Sequence, residues 1–290
     1  MSKTNNFHFI VRLSGFCLAA CLLAISVSVV PAQQGTGAKH AQSPAPIEAR
    51  AKTSQALIDS SLPEDPALNK MLELYSPKVR ALDVVIGKLE GELKKGGLGG
   101  GTLGNFVTDG MRAQSSKKLG APVDLVLSNS GGLRKNVISP GDLHVRDIFE
   151  LLPFENALVE LELTGEQLRK ALDVAVEFRE PQAGARIKYR TNAEKKLEIA
   201  SAVLVGADGK ERQIYPEGTY RVVTIDYLLS VVGGKFAILQ EARIKKPLGI
   251  TIRDAMIDYV KDETAAGRPI VAKFDGRFRR EGITPKEEPQ

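Results

Sequence analysis

The six residues Asn129-Ser130-Gly131-Gly132-Leu133-Arg134 bring an amide, two adjacent glycines and a guanidinium into one turn. Two glycines without Cβ atoms let the backbone take φ > 0 and lie close against a ligand. Asn129 offers an amide donor and acceptor. Arg134 offers a planar fork of donors suited to phosphate or carboxylate. The apolar run 123–127 before Ser128 reads as a buried strand. The turn therefore leaves the carboxyl end of a strand, where ligands of open α/β sheets collect. A lone Gly-Gly turn with a surface arginine is the plainer reading of these residues alone. Other chemistries lack their residues. There is no Gly-x-Ser-x-Gly and no His-Glu-x-x-His, and both cysteines, Cys17 and Cys21, lie near the N-terminus.

The elements that must hold this turn are read from periodicity. Residues 78–92 fit a strand, a helix, or a strand leading into a turn. A glycine run, Gly96-Gly97-Leu98-Gly99-Gly100-Gly101, precedes a helix over 103–118 with Leu103, Phe106, Val107 and Met111 on one face and Thr102 as its N-cap. Glycines before a helix can hold phosphate on backbone N–H groups, but no Lys-Ser/Thr follows as in a Walker loop, and a mobile connector is the preferred reading. A short helix follows near 145–150, then the alternating strand 157–163. Thr164-Gly165-Glu166-Gln167 reads as a capping box opening a helix whose apolar face is Leu168, Ala171, Leu172, Ala175 and Val176. Strands are expected at 186–189, 199–205 and 220–225, with a hairpin-like turn at 207–210 between the last two. Asp226 begins a short helix, where an acid is favoured, and capping is preferred to catalysis. A last amphipathic helix covers 251–261, and 270–278 forms the closing strand.

Several of these segments together carry a resemblance. Asn129–Arg134, Leu151-Leu152-Pro153-Phe154-Glu155-Asn156, Leu163-Thr164-Gly165-Glu166-Gln167-Leu168, Thr224-Ile225-Asp226-Tyr227-Leu228 and Gly233-Gly234-Lys235-Phe236 occur in this order. They resemble the N-x-G-G-[IL]-R, L-P-F-x-N, L-T-G-x-x-L, T-x-D-[YF]-L and G-G-x-x-[FY] segments of the C-terminal domain of the 5'-nucleotidase family. Gln182-Ala183-Gly184 echoes that family's Q-x-G. Each segment is weak alone; their order makes them specific, over residues 76–280.

The resemblance implies an α+β domain, a mixed sheet flanked by helices, that binds a nucleotide or nucleoside. It puts Asn129, Gly131, Gly132 and Arg134 on the ribose-phosphate side. It puts Phe154 and Phe236 on opposite faces of the nucleobase; packing against the core is the plainer role for Phe154, a loop aromatic beside a proline. A base stacked on an aromatic ring gains about 1–3 kcal/mol whatever its identity. Glu241, one residue out of register, is the candidate for the ribose hydroxyls. One departure concerns phosphate. Relatives carry an arginine just before Leu103-Gly104-Asn105, where this chain has glycine, and Lys94, Lys95 and Arg112 are off that position.

The catalytic half of such enzymes is a dinuclear metallophosphatase with several His and Asp ligands. Beyond residue 32 this chain has only His40 and His144, too few nitrogen ligands for such a pair, and His144 reads as a surface or capping histidine. The chain is also too short to hold both domains. No cofactor is therefore expected in this chain, and divalent metals only in a partner.

Residues 1–32 carry Lys3 and Arg12, an apolar run over 13–30 and small residues before Gln33. This pattern is a signal peptide cleaved after Ala32, and it implies a periplasmic or secreted protein. An uncleaved anchor or a lipoprotein at Cys21 fits less well, because the apolar run continues past Cys21. Residues 33–66 form a linker rich in Ala, Gln, Ser and Pro, with a short helix near 54–60; 67–282 form the domain and 283–290 a tail. Cleavage lowers the formal charge from +5 to +3. No dense basic stripe with interleaved aromatics points to nucleic acid, and no stable membrane span is left after cleavage.

Three functions follow as expectations. The first is a nucleotide-presenting subunit that works with a separately encoded metallophosphatase. The second is a non-catalytic nucleoside- or nucleotide-binding module. The third is a degenerate scaffold without ligand.

Overall fold

The apolar alternation of residues 157–163 becomes the strand Ala157–Thr164, the second strand of a five-stranded mixed sheet in this computed structural model. The structure describes residues 52–57, 59 and 61–282. The expected signal peptide, most of the linker and the tail 283–290 lie outside the described residues. Residues 52–57 take no regular structure, so the helix expected near 54–60 is not seen there.

The central sheet runs Ile244–Thr251, Ala157–Thr164, Thr219–Ile225, Leu125–Leu127, Gln182–Ala183. Only the Thr219–Ile225 and Leu125–Leu127 pair is parallel. A four-stranded sheet orders Glu211–Gln213, Leu197–Val205, Ala185–Thr191 and Phe278–Arg280. A three-stranded sheet sets Val85–Glu90 between Ile270–Val271 and Gly141–His144.

Six α-helices are present among the described residues. Helix α1, Pro66–Leu82, is capped by Asp65 and buries none of its residues. Helix α2, Gly101–Leu119, buries Leu103, Phe106, Val107 and Met111. Helix α3 is Val145–Leu151, and His144 stands at its N-cap position, its N–H donating to Asp147 Oδ2 at 2.9 Å. Helix α4, Gly165–Glu177, buries the predicted stripe Leu168, Ala171, Leu172, Ala175 and Val176 behind the predicted Thr164/Gln167 box. Helix α5, Asp226–Ser230, has Asp226 in its first turn. Helix α6, Ile252–Ala265, packs on α2 so closely that a Cβ on Gly110 would lie 2.4 Å from Met256 Sδ.

Three expectations change. Residues 78–92 hold both readings in turn, the end of α1 and the strand Val85–Glu90. The turn at 207–210 joins Leu197–Val205 to Glu211–Gln213 and not to Thr219–Ile225, which lies in the other sheet. The closing stretch splits into Ile270–Val271 and Phe278–Arg280, again in different sheets.

Arg277 fastens this closing segment to α2. It is 8% exposed. Its Nη2 donates to both Asp109 oxygens at 2.9 and 3.0 Å and to Asp275 Oδ2 at 2.7 Å. Its Nη1 donates to the Gln182 carbonyl at 3.0 Å and Thr108 Oγ1 at 3.2 Å. The guanidinium holds Asp275 below the usual carboxylate range despite burial. Burial outweighs the same guanidinium at Asp109, whose pKa is raised.

Candidate functional site

The strand Leu125–Leu127 is fully buried and delivers Ser128 and Asn129 to its carboxyl end. Asn129 stays extended and Ser130–Gly132 form one 3-10 turn. Gly131 and Gly132 are not among the positive-φ glycines. Their value is space: a Cβ on Gly132 would lie 3.0 Å from Asn129 Oδ1, and one on Gly131 3.5 Å from Asn129 Nδ2. The glycines therefore make room for the amide they neighbour, a use that differs from the left-handed turn expected.

Three anchors fix the turn. The Arg134 N–H donates to the Leu151 carbonyl at 2.9 Å, at the end of α3. Lys95 Nζ donates to the Leu133 carbonyl at 2.8 Å. The Ser130 N–H donates to Glu180 Oε2 at 2.6 Å. Glu180 is 1% exposed, and its other oxygen pairs with Lys235 Nζ. This one carboxylate thus ties the 129–134 turn to the 233–236 loop. Nothing in the periodicity around Arg179-Glu180-Pro181 marks it.

The Leu152–Phe154 loop is held in the same way. Arg253, nearly buried on α6, donates from Nε to the Leu152 carbonyl at 3.0 Å and from Nη2 to the Pro153 carbonyl at 2.7 Å. Phe154 is left half exposed, with the Arg134 guanidinium 6.0 Å from its ring centroid. A cleft lined by Ser128, Asn129, Gly132, Phe154, Asn156 and Ile225 lies between the two loops. Its enclosed volume is about 10 Å³, room for about one water. Asn129 Oδ1 is buried at its wall with no hydrogen-bond partner among the described residues. Sequence reading missed Asn156, which sits two residues past Phe154 inside a segment it had singled out.

The other candidates are placed differently. Phe236 is 1% exposed and belongs to the core. It does not face Phe154 across an open slot, so the two-sided clamp is not formed in this structure. One residue separates Gly234 from Phe236, where G-G-x-x-[FY] has two, and Phe236 directly precedes the 3-10 turn Ala237–Glu241. Glu241 is exposed, and its carbonyl accepts from Gln167 Nε2; it does not line the cleft. Arg112 is spent on the Val123 and Val205 carbonyls. Thr102 is not the N-cap of α2, which is Gly100; its buried hydroxyl accepts from the Lys94 N–H at 2.8 Å.

Among the described residues no three His, Cys, Asp or Glu side chains are grouped to hold a metal ion. The donors among these residues do not fit a dinuclear centre. No described helix is long and apolar enough to cross a membrane.

The family model described as "5'-nucleotidase, C-terminal domain" matches residues 85–241. The chain belongs to the 5'-nucleotidase C-terminal-domain family. The trifunctional nucleotide phosphoesterase YfkN of Bacillus subtilis is 26% identical over 218 residues, 73% of this chain and 14% of its own length. The NAD 5'-nucleotidase of Haemophilus influenzae is 27% identical over 204 residues, 63% of this chain and 33% of its own. Among solved structures, the 5'-nucleotidase precursor of Thermus thermophilus superposes with a TM-score of 0.60 at 24% identity, covering 75% of this chain and 43% of that one. The chain thus spans less than half the length of each of these relatives. The likeness of fold agrees with the α+β architecture read from the sequence.

Proposed function

We propose that this domain binds a nucleotide or nucleoside at the Asn129–Arg134 turn and presents it to a separately encoded metallophosphatase. The unpartnered Asn129 Oδ1 beside a half-exposed Phe154 carries this reading. A buried acceptor without a donor costs about 1–3 kcal/mol, and a hydroxyl or amine of a bound ligand would supply that donor. Phe154 offers one face for a base, and Arg134, exposed above it, offers the charge for a phosphate. With Phe236 buried, stacking is one-sided unless the 231–236 loop turns outward on binding. The names of relatives that act on nucleotides support this choice of ligand.

Calorimetric titration of the full chain with AMP and adenosine tests the reading. Phe154→Ala is expected to weaken both ligands by about 1–3 kcal/mol, roughly 5- to 150-fold. Arg134→Gln is expected to weaken AMP and leave adenosine unchanged. A folded chain that binds neither ligand sinks the proposal. The pairing with a metallophosphatase is tested by AMP hydrolysis with and without this chain; an unchanged rate rejects it.

We also propose that the protein is exported. The basic, apolar and small-residue pattern of 1–32 supports this, as does a relative named cell wall protein in Listeria monocytogenes, 27% identical over 184 residues. Mature protein recovered outside the cytoplasm with Gln33 at its N-terminus is the expected outcome. Recovery of the intact N-terminus in the cytoplasm rejects export.

A further inference from the structure

Among the described residues there is a larger space than the cleft at Asn129. A groove of about 730 Å³ lies between the glycine run and the closing segment 274–279. It shares no lining residue with the Asn129 cleft. Its volume falls in the range of about 300–1000 Å³ that small-molecule sites occupy.

Three features give the groove a chemical character. The first is aromatic: Phe274, 53% exposed, and Phe278 and Tyr189 line it. The second is charge. Lys94, Lys95 and Arg279 line it against Glu92, while Asp275 is paired with Arg277, which it shares with Asp109 outside the groove. Among the described residues neither Lys94 nor Arg279 forms a side-chain ion pair. The third is bare backbone. Gly99 is needed for packing, since a Cβ there would lie 2.4 Å from Phe278 Cε2. At Gly96 and Gly97 nothing lies within 4 Å of an added Cβ, so packing does not demand glycine at either. What glycine gives there is positive φ, 158° and 62°, and a main chain open to the groove.

We propose that this groove is a second binding site, for an aromatic phosphomonoester, with the ring against Phe274 and Phe278 and the phosphate between Lys94 and Arg279. An apolar aromatic floor alone would take a neutral ring, and the cations alone would take inorganic phosphate. The combination selects a ligand that carries both. A nucleoside monophosphate and a simpler aryl phosphate share this chemistry.

The chain has no tryptophan, so Phe274→Trp places a single reporter in the groove. In the full chain carrying Phe274→Trp, fluorescence is titrated with phenyl phosphate, AMP, adenosine and inorganic phosphate. Both aromatic phosphates are expected to change the emission and bind at least tenfold tighter than adenosine or phosphate. Tighter binding of AMP than of phenyl phosphate identifies a nucleotide; the reverse identifies an aryl phosphate. Lys94→Glu with Arg279→Glu, on the reporter background, should weaken both at least tenfold. Lys94→Glu alone, at an exposed position, provides the same test with less risk to the fold and is expected to weaken them severalfold. Phe154→Ala should leave the reporter titration unchanged, which separates this site from the Asn129 cleft. The proposal is overturned by no emission change at millimolar ligand, by affinity indifferent to charge reversal, or by phosphate binding as tightly as its aryl ester. Equal loss in Phe154→Ala would mean one shared site, and would overturn a second one.

Discussion

Arg277→Met keeps the length of the side chain and removes its charge. Two carboxylates, Asp109 and Asp275, then lose the cation they share, and the Gln182 carbonyl loses a donor. Breaking a fully buried pair costs about 3–5 kcal/mol. Here the Asp109 and Asp275 side chains are 36% and 38% exposed, so water screens the orphaned charges and the loss is about 2–3 kcal/mol. For a domain of this size each kcal/mol lowers Tm by about 2–4 °C, which gives a fall of roughly 4–12 °C. The pH dependence is a sharper test. With Arg277 in place, Asp275 titrates below its unfolded value, so its stabilisation is present above that value and lost as pH falls through the lower folded pKa. Asp109 titrates above its unfolded value, so its contribution is full at low pH and lost as pH rises through the raised folded pKa. Without Arg277 both carboxylates are expected to join the second class, with burial and mutual repulsion and only the weaker pull of Lys273 on Asp109. The variant's deficit is therefore expected to be largest near pH 7.5 and smaller near pH 4.5. Urea unfolding of both proteins at the two pH values measures it. A deficit under about 1 kcal/mol, or one equal at both pH values, would refute the account of Arg277 as the shared counter-charge.

Glu180→Gln keeps an acceptor for the Ser130 N–H but loses the charge facing Lys235, which is 42% exposed. A loss of about 1 kcal/mol in urea unfolding is expected, with faster amide exchange at Ser130; unchanged exchange would show that the carboxylate does not hold the turn. Gly104→Ala, inside α2, would ordinarily stabilise a helix by up to about 1 kcal/mol. Here the new Cβ would lie 2.0 Å from the Gly99 carbonyl, so a loss of about 1–3 kcal/mol in thermal melts is expected instead, and a gain would mean the glycine run yields freely.

The sequence was legible where one local signal decides an element. The Thr164/Gln167 box and the stripe Leu168–Val176 each follow from short-range chemistry, and α4 has both as read. The turn Asn129–Arg134 was marked by its own residues, whereas Phe154 was marked only by the family resemblance, and the structure sets the Arg134 guanidinium 6.0 Å from its ring centroid. The burial of Phe236 was not legible, because whether a loop aromatic faces out or in depends on packing rather than on residue type. Thr102 was taken for a cap on propensity, yet tertiary contact with the Lys94 N–H claimed its hydroxyl. Glu180 and Arg253 act across long separations, Ser130 to Glu180 and Leu152 to Arg253, for which no periodic signal exists.

The segment 270–280 also governs the order in which this chain can fold. Ile270–Val271 completes the sheet around Val85–Glu90, Phe278–Arg280 covers Ala185–Thr191, and Arg277 reaches back 168 residues to Asp109. Until these residues leave the ribosome, two strands keep open edges and Asp109 lacks its cation. Such far-separated contacts slow the search for the native state, and open edges invite pairing with the wrong chain while it lasts. The nascent protein therefore has its greatest need of a holding chaperone until residues 270–280 have emerged.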